Sequence, residues 1–110
     1  MDGGHWRSTA HLRFCWKQVS ESEEPNRLVI SVPKRHFKRA VKRNLLKRRI
    51  REAYRLNRHL VLPQIKEANK SVFIAFVFIG DAITSYSVIE ERMRYALTQL
   101  AKTFNSSSNQ

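Results

Sequence analysis

Twelve of the chain's 21 Lys and Arg residues fall in one window, residues 34–58, which reads KRHFKRAVKRNLLKRRIREAYRLNR and holds a single acid, Glu52. Its net charge is +11, against +12 for the whole chain, and the other 85 residues carry nine bases and eight acids. Guanidinium groups are planar forks that grip phosphate bidentately, and they stay charged at any physiological pH. Charge gathered in one element is the footprint of a surface that binds a polyanion.

Other chemistry is poorly supplied. His5, His11, His36 and His59 are scattered, with no carboxylate or cysteine at metal-ligand spacing, so no metal ligands are expected. Three acids, Glu21, Glu23 and Glu24, lie together, and they read as solvating residues of a turn. No Gly-rich phosphate loop and no nucleophile–base set stands out, so no catalytic residue is expected in this chain. Cys15 is the one cysteine, which excludes a disulfide framework and suits a reducing compartment, the cytoplasm. The longest apolar run, residues 72–79 (VFIAFVFI), is of strand length and too short to span a membrane. No hydrophobic signal segment opens the chain.

At 110 residues and 42% hydrophobic, the sequence suits one domain with a modest core. Residues 1–9 read as loose. From Leu12 the pattern alternates, with Leu12, Phe14 and Trp16 on one face and Arg13, Cys15 and Lys17 on the other, as in a half-buried strand. Residues 20–26 suit a turn, and residues 28–32 suit a second strand that Pro33 ends, so the pair reads as an antiparallel hairpin. A helix is predicted over residues 39–57, followed by a short turn of helix before Pro63 and a connection over residues 64–70. Residues 72–79 read as a strand covered on both faces or central in a sheet. Gly80-Asp81 marks a turn, and Ser87 and Glu90 have capping-box spacing for a last helix. That helix carries Ile89, Met93, Ala96, Leu97, Leu100 and Phe104 as its core stripe, and residues 105–110 form a frayed tail. The order is β-β-α-β-α, an α+β two-layer sandwich with helices on one sheet.

The basic helix has two faces. Leu46, Ile50, Ala53 and Asn57 recur at i, i+4, i+7 and i+11, with Tyr54 at the edge. Asn44, Arg48, Arg51 and Arg55 recur at the same spacing on the opposite side, flanked by Lys47 and Arg58. The second set presents cations at a pitch of about 5–6 Å, close to that of successive phosphates. A merely solvated face would mix signs, because like charges at i, i+4 repel. Lys42 and Arg49 lie off this face, nearer the apolar side. On the first strand, Arg13, Cys15 and Lys17 offer a track for a single strand, and Trp6 could stack on a base.

Arg43-Asn44, Lys47-Arg48 and Arg51 spell R-N-x-x-K-R-x-x-R on a helix that follows a strand ending V-P-K-R. This resembles the signature of the protein subunit of bacterial ribonuclease P, over roughly residues 12–104. The resemblance implies that family's fold, the ribosomal-protein-S5-domain-2-like fold, with a left-handed βαβ crossover around the basic helix. It also implies binding of the catalytic RNA by Arg43, Asn44, Lys47, Arg48 and Arg51, with Lys34, Arg35 and Arg39 as auxiliary contacts and Arg55 farther along the same face. Arg13 and Lys17 are then candidate contacts for the 5′ leader of precursor tRNA. The RNA carries out hydrolysis with magnesium, the protein alone holds no cofactor, and neither a membrane nor an obligate protein partner is implied. Two positions depart from the family. Its usual second Arg after the Asn is Leu45 here, and its basic N-terminal helix is lacking, since the sequence starts at about the loop that follows that helix. A ribosomal-protein-like or DNA-binding module is the alternative, although a helix-turn-helix reader would place a helix, not strands, just before the basic helix. A membrane-surface helix would carry a larger apolar face.

Overall fold

The apolar run VFIAFVFI lies inside a sheet, except for its last residue, Ile79, which follows the strand and is exposed. In the computed structural model, which describes residues 5–19, 27–67 and 71–108, the strands are β1 (His5–Ser8), β2 (Leu12–Val19), β3 (Arg27–Ser31) and β4 (Ser71–Phe78). They form one sheet in the order β1-β2-β4-β3. β4 is antiparallel to β2, with Phe14 opposite Phe76, and parallel to β3, with Ile30 opposite Phe76. The helices are α1 (Ala40–Asn57), α2 (Leu62–Glu67) and α3 (Tyr86–Ser108), with a 3-10 turn, Arg58–Leu60, after α1.

The sheet corrects the expected hairpin. β2 and β3 are not neighbours, because β4 inserts between them and uses both of their inner edges. β3 therefore reaches β4 through α1, as a parallel pair requires. Residues 5–8, read as loose, form the edge strand β1, paired antiparallel with β2. The turn proposed at residues 20–26 lies outside the described residues.

One face of the sheet carries the core. Leu12, Phe14, Ile74, Phe76 and Phe78 are each 0–1% exposed and pack with Leu46 and Ile50 of α1 and Ile89, Met93 and Leu97 of α3. Burying a side chain such as Leu46 or Ile50 fully contributes roughly 2 kcal/mol. Trp16 packs against this cluster without being buried. On the opposite face Arg13 and Lys17 are exposed, but Cys15 is 0% exposed, contrary to the solvent-facing position expected for it. It is a short side chain in an interior strand, at the level of Trp6 on β1 and Ala75 on β4, so longer neighbours cover it.

Two helical details also differ from expectation. The connection expected over residues 64–70 is helical through residue 67, where α2 ends, anchored by buried Val61 and Ile65. Pro63 falls in the first turn, where its missing N–H has no intrahelical partner to lose. α3 begins at Tyr86 rather than after Ser87, with the Ile89 amide donating to the Ser85 carbonyl. It continues to Ser108, through most of the expected tail. Gly80, just after β4, has a steric reason: a Cβ there would lie 2.8 Å from the Phe78 ring.

Candidate nucleic-acid interface

α1 starts where the sequence places it, with extended Arg39 as the residue before its first turn. No Pro or Gly interrupts it, and its buried residues are Leu46, Ile50, Ala53, Tyr54 and Asn57. This is the apolar face predicted from the 3.6-residue period. The face pointing away from the core carries Asn44, Arg48, Arg51 and Arg55, all exposed, and Lys47 beside them is half-buried. The helix N-terminus has neither an acid in its first turn nor a side-chain cap, so its partial positive charge adds to the field of the cations.

The arginines do different work. Among the described residues, Arg48 and Arg51 make no hydrogen bond or ion pair within the protein. Arg43 turns toward the preceding loop, where its Nη1 donates to the carbonyls of Phe37 and Lys38, 2.7 Å from each. Arg49 reaches the loop after β4 and donates to the Thr84 carbonyl at 2.5 Å. Its predicted place off the basic face holds, while Lys42 is exposed. Arg55 is held by Glu52 through two hydrogen bonds, 2.5 and 3.1 Å long. That pairing holds the Glu52 carboxyl below the usual carboxylate range and raises Arg55.

The far end of α1 is fastened to α3. Asn57 Nδ2 donates to the Ala53 carbonyl at 2.8 Å and to Glu90 at 3.1 Å, and the Tyr86 hydroxyl donates to the same Glu90 oxygen at 3.2 Å. Glu90 thus clasps two helices instead of closing a capping box with Ser87. Burial pushes the Tyr54 hydroxyl up, and burial together with Glu90 does the same to Tyr86. The basic face is therefore presented on a helix fixed along its length.

Lys34, Arg35 and Arg39 are exposed on the loop leading into α1, continuous with the helix in sequence. Arg13 and Lys17 stand apart from it, on the sheet face that the helices leave open. There the Arg13 guanidinium lies 4.4 Å from the centre of the Trp6 ring, a cation–π contact that holds an aromatic surface 37% exposed. One residue escaped the charge-based reading. Val41 is 79% exposed, one turn before Leu45 and two turns before Arg48, so the basic face has an apolar border. Its position seven residues before Arg48 on an uninterrupted helix was the available signal. Among the described residues, no three His, Cys, Asp or Glu side chains form a group that could hold a metal.

Comparison with known proteins agrees with this architecture. The family model described as Ribonuclease P matches residues 2–102. The ribonuclease P protein components of two strains of Porphyromonas gingivalis are each 40% identical over 98 residues, which is 88% of this chain and 72% of theirs. Among solved structures, the RNase P protein of Thermotoga maritima superposes with a TM-score of 0.68 at 19% identity, covering 87% of this chain and 85% of that one. That of Staphylococcus aureus gives 0.65 at 21% identity, covering 92% and 84%. These two structures bear on the fold alone, whereas the family match and the relatives bear on descent. The family model over nearly the whole chain, and relatives 40% identical to it, place this chain, with its arginine-faced helix and sheet order, in the ribonuclease P protein family, as a subunit of that endoribonuclease.

Proposed function

We propose that this subunit binds the ribonuclease P RNA through the outward face of α1 and assists it in removing the 5′ leader from precursor tRNA. The observation that carries the reading is the contrast across α1. Leu46 and Ile50 are fully buried on one side, and Arg48 and Arg51 are exposed without protein partners on the other. An arginine that makes no internal bond is free to neutralise a phosphate. Asn44, Arg48 and Arg51 form the centre of the contact, with Lys47 beside them and Lys34, Arg35 and Arg39 extending it along the entering loop. Arg43 and Arg55 serve it indirectly, the first by shaping the loop and the second as a cation shared with Glu52.

Arg13 and Lys17 are assigned to the leader of the precursor, on the open face of the sheet beside Trp6. Hydrolysis belongs to the RNA and its magnesium ions. The protein lowers the magnesium requirement by neutralising phosphates and holding the substrate. No described helix is long and apolar enough to cross a membrane. The cytoplasm is the compartment we assign on the strength of the tRNA-processing reading. The test is reconstitution. Ribonuclease P RNA and precursor tRNA are mixed at low magnesium with and without the protein, and 5′ cleavage is followed. Faster cleavage with the protein supports the reading. Unchanged cleavage, or magnesium-dependent cleavage by the protein free of RNA, overturns it.

A further inference from the structure

The arginine row of α1 does not stop where the helix does. Arg48, Arg51, Arg55 and Arg58 follow one another at intervals of three or four residues, and Arg58, with φ −61° and ψ −21°, keeps a helical conformation. At about 1.5 Å per residue the row is about 15 Å long, the reach of about two or three nucleotide steps. At its far end lies an open cleft of about 470 Å³ lined by Arg58, His59, Leu62 and Pro63. The cleft is built on a fixed turn. The Val61 amide donates to the Arg58 carbonyl at 3.1 Å and the Ile65 amide to the Val61 carbonyl at 3.2 Å, and Val61 and Ile65 are themselves buried in the core. Asn57, just before the turn, is tied to Glu90 of α3.

The lining has two kinds of surface. Leu62 and Pro63 form an apolar wall, Leu62 half-buried and Pro63 exposed. Arg58 and His59 are exposed, and among the described residues neither side chain makes a hydrogen bond or ion pair. No described acid lines the cleft. A ligand that satisfies both surfaces is apolar on one side and carries negative charge on the other. An apolar peptide side chain would cover the wall and leave Arg58 without a counter-charge. An inorganic anion would meet Arg58 and leave Leu62 and Pro63 wet. A nucleotide meets both, because every base has an apolar face and is joined to a phosphate. The arginine row supplies the direction from which it arrives, along α1.

We propose that this cleft is a stacking subsite for one unpaired nucleobase of the RNA strand that follows α1. The base lies on Leu62 and Pro63 beside the His59 ring, and Arg58 holds its phosphate as the last cation of the row. Unpaired positions are the ones whose bases can be splayed out onto side chains. Recognition is by the face of the base and is therefore tolerant of sequence. The inference rests on the RNA-binding reading above and adds a site for a base, which a row of phosphate contacts does not provide.

The test uses the full chain, isotope-labelled, titrated with AMP and with ribose 5-phosphate while the Leu62 methyl and His59 ring signals are followed by NMR. AMP should shift both saturably, with the Leu62 methyls moving upfield under the ring current of the base. Ribose 5-phosphate, which has the anion and no base, should bind about tenfold more weakly. Arg58→Ala should weaken both ligands about fivefold and leave the advantage of AMP in place. No saturable shift with AMP, equal binding of ribose 5-phosphate, or unchanged AMP affinity in Arg58→Ala would each overturn the proposal. So would Leu62 shifts that appear on concentrating the protein without nucleotide, the mark of a second copy seated in the cleft. Stimulation of ribonuclease P RNA by the same unmodified protein reports the preceding reading separately. Stimulation without base-dependent binding at Leu62 removes only the subsite, and base-dependent binding without stimulation removes only the tRNA-processing role.

Discussion

Replacing Arg48 and Arg51 together by Ala removes the two central cations of α1 that have no protein partner. Both side chains point away from buried Leu46 and Ile50, so no cavity is opened. Alanine is a slightly better helix former than arginine, and the change relieves like-charge repulsion along the face. Stability should therefore move by no more than about 0.5 kcal/mol. Each charge-assisted phosphate contact is worth about 1 kcal/mol at moderate salt. Losing two should weaken binding by about 2 kcal/mol, or roughly 30-fold in Kd. The slope of log K against log salt should become shallower by about 1.5. The assay is fluorescence anisotropy of labelled ribonuclease P RNA over a salt series, with circular dichroism melting on the same samples. A folded double variant with the affinity and salt slope of the parent would refute the assignment of this face. A variant that no longer folds would refute the assignment of the opposite face to the core.

Arg55 is held by Glu52, so Arg55→Ala should weaken RNA binding less than Arg48→Ala in the same anisotropy assay. Glu52→Gln, which removes the only acid of α1 and releases Arg55, should tighten binding measurably in the same assay. Arg43→Ala should lower the melting temperature, because two carbonyls lose a charged donor, a cost of about 1.5–3 kcal/mol. An unchanged melting temperature would show that these bonds do not hold the loop. Burial raises the Tyr54 hydroxyl above its ordinary 10.0, so its contribution to stability is complete below that value. It is lost as pH rises toward the folded-state value, because the unfolded chain releases the proton first. Tyr54→Phe should accordingly move the alkaline fall in stability to higher pH in melts between pH 8 and 12, and an identical pH profile would contradict the burial of that hydroxyl.

The parts of this fold legible in the sequence are those where one element carries its own pattern. The two faces of α1 follow from the spacing of Leu46, Ile50 and Ala53 against Asn44, Arg48 and Arg51, because an uninterrupted helix converts spacing directly into direction. The interior position of β4 follows from the unbroken apolar run over residues 72–78, which leaves no polar residue to turn outward. Strand pairing is different, because it depends on partners remote in sequence. β2 and β3 read as a hairpin since they are consecutive, and only the assembled sheet shows β4 separating them. β1 carries no apolar alternation, because HWRS sits on an edge where Trp6, Arg7 and Ser8 are all exposed. The destinations of the arginines were also hidden. Arg43, Arg49 and Arg48 are the same residue type, and only the fold decides that the first two bind loop carbonyls while the third faces solvent.

The most direct test of the central claim, that the outward face of α1 meets the catalytic RNA, is photo-crosslinking from two exposed sites. A photoreactive residue is placed at position 51 on α1 or at position 98 on α3, where Thr98 is exposed. Each variant is assembled with ribonuclease P RNA and irradiated, and the crosslinked nucleotides are mapped. Position 51 should crosslink to the RNA, with a yield that falls as salt rises, and position 98 should give little. Efficient crosslinking from position 98 with none from position 51 would contradict the account.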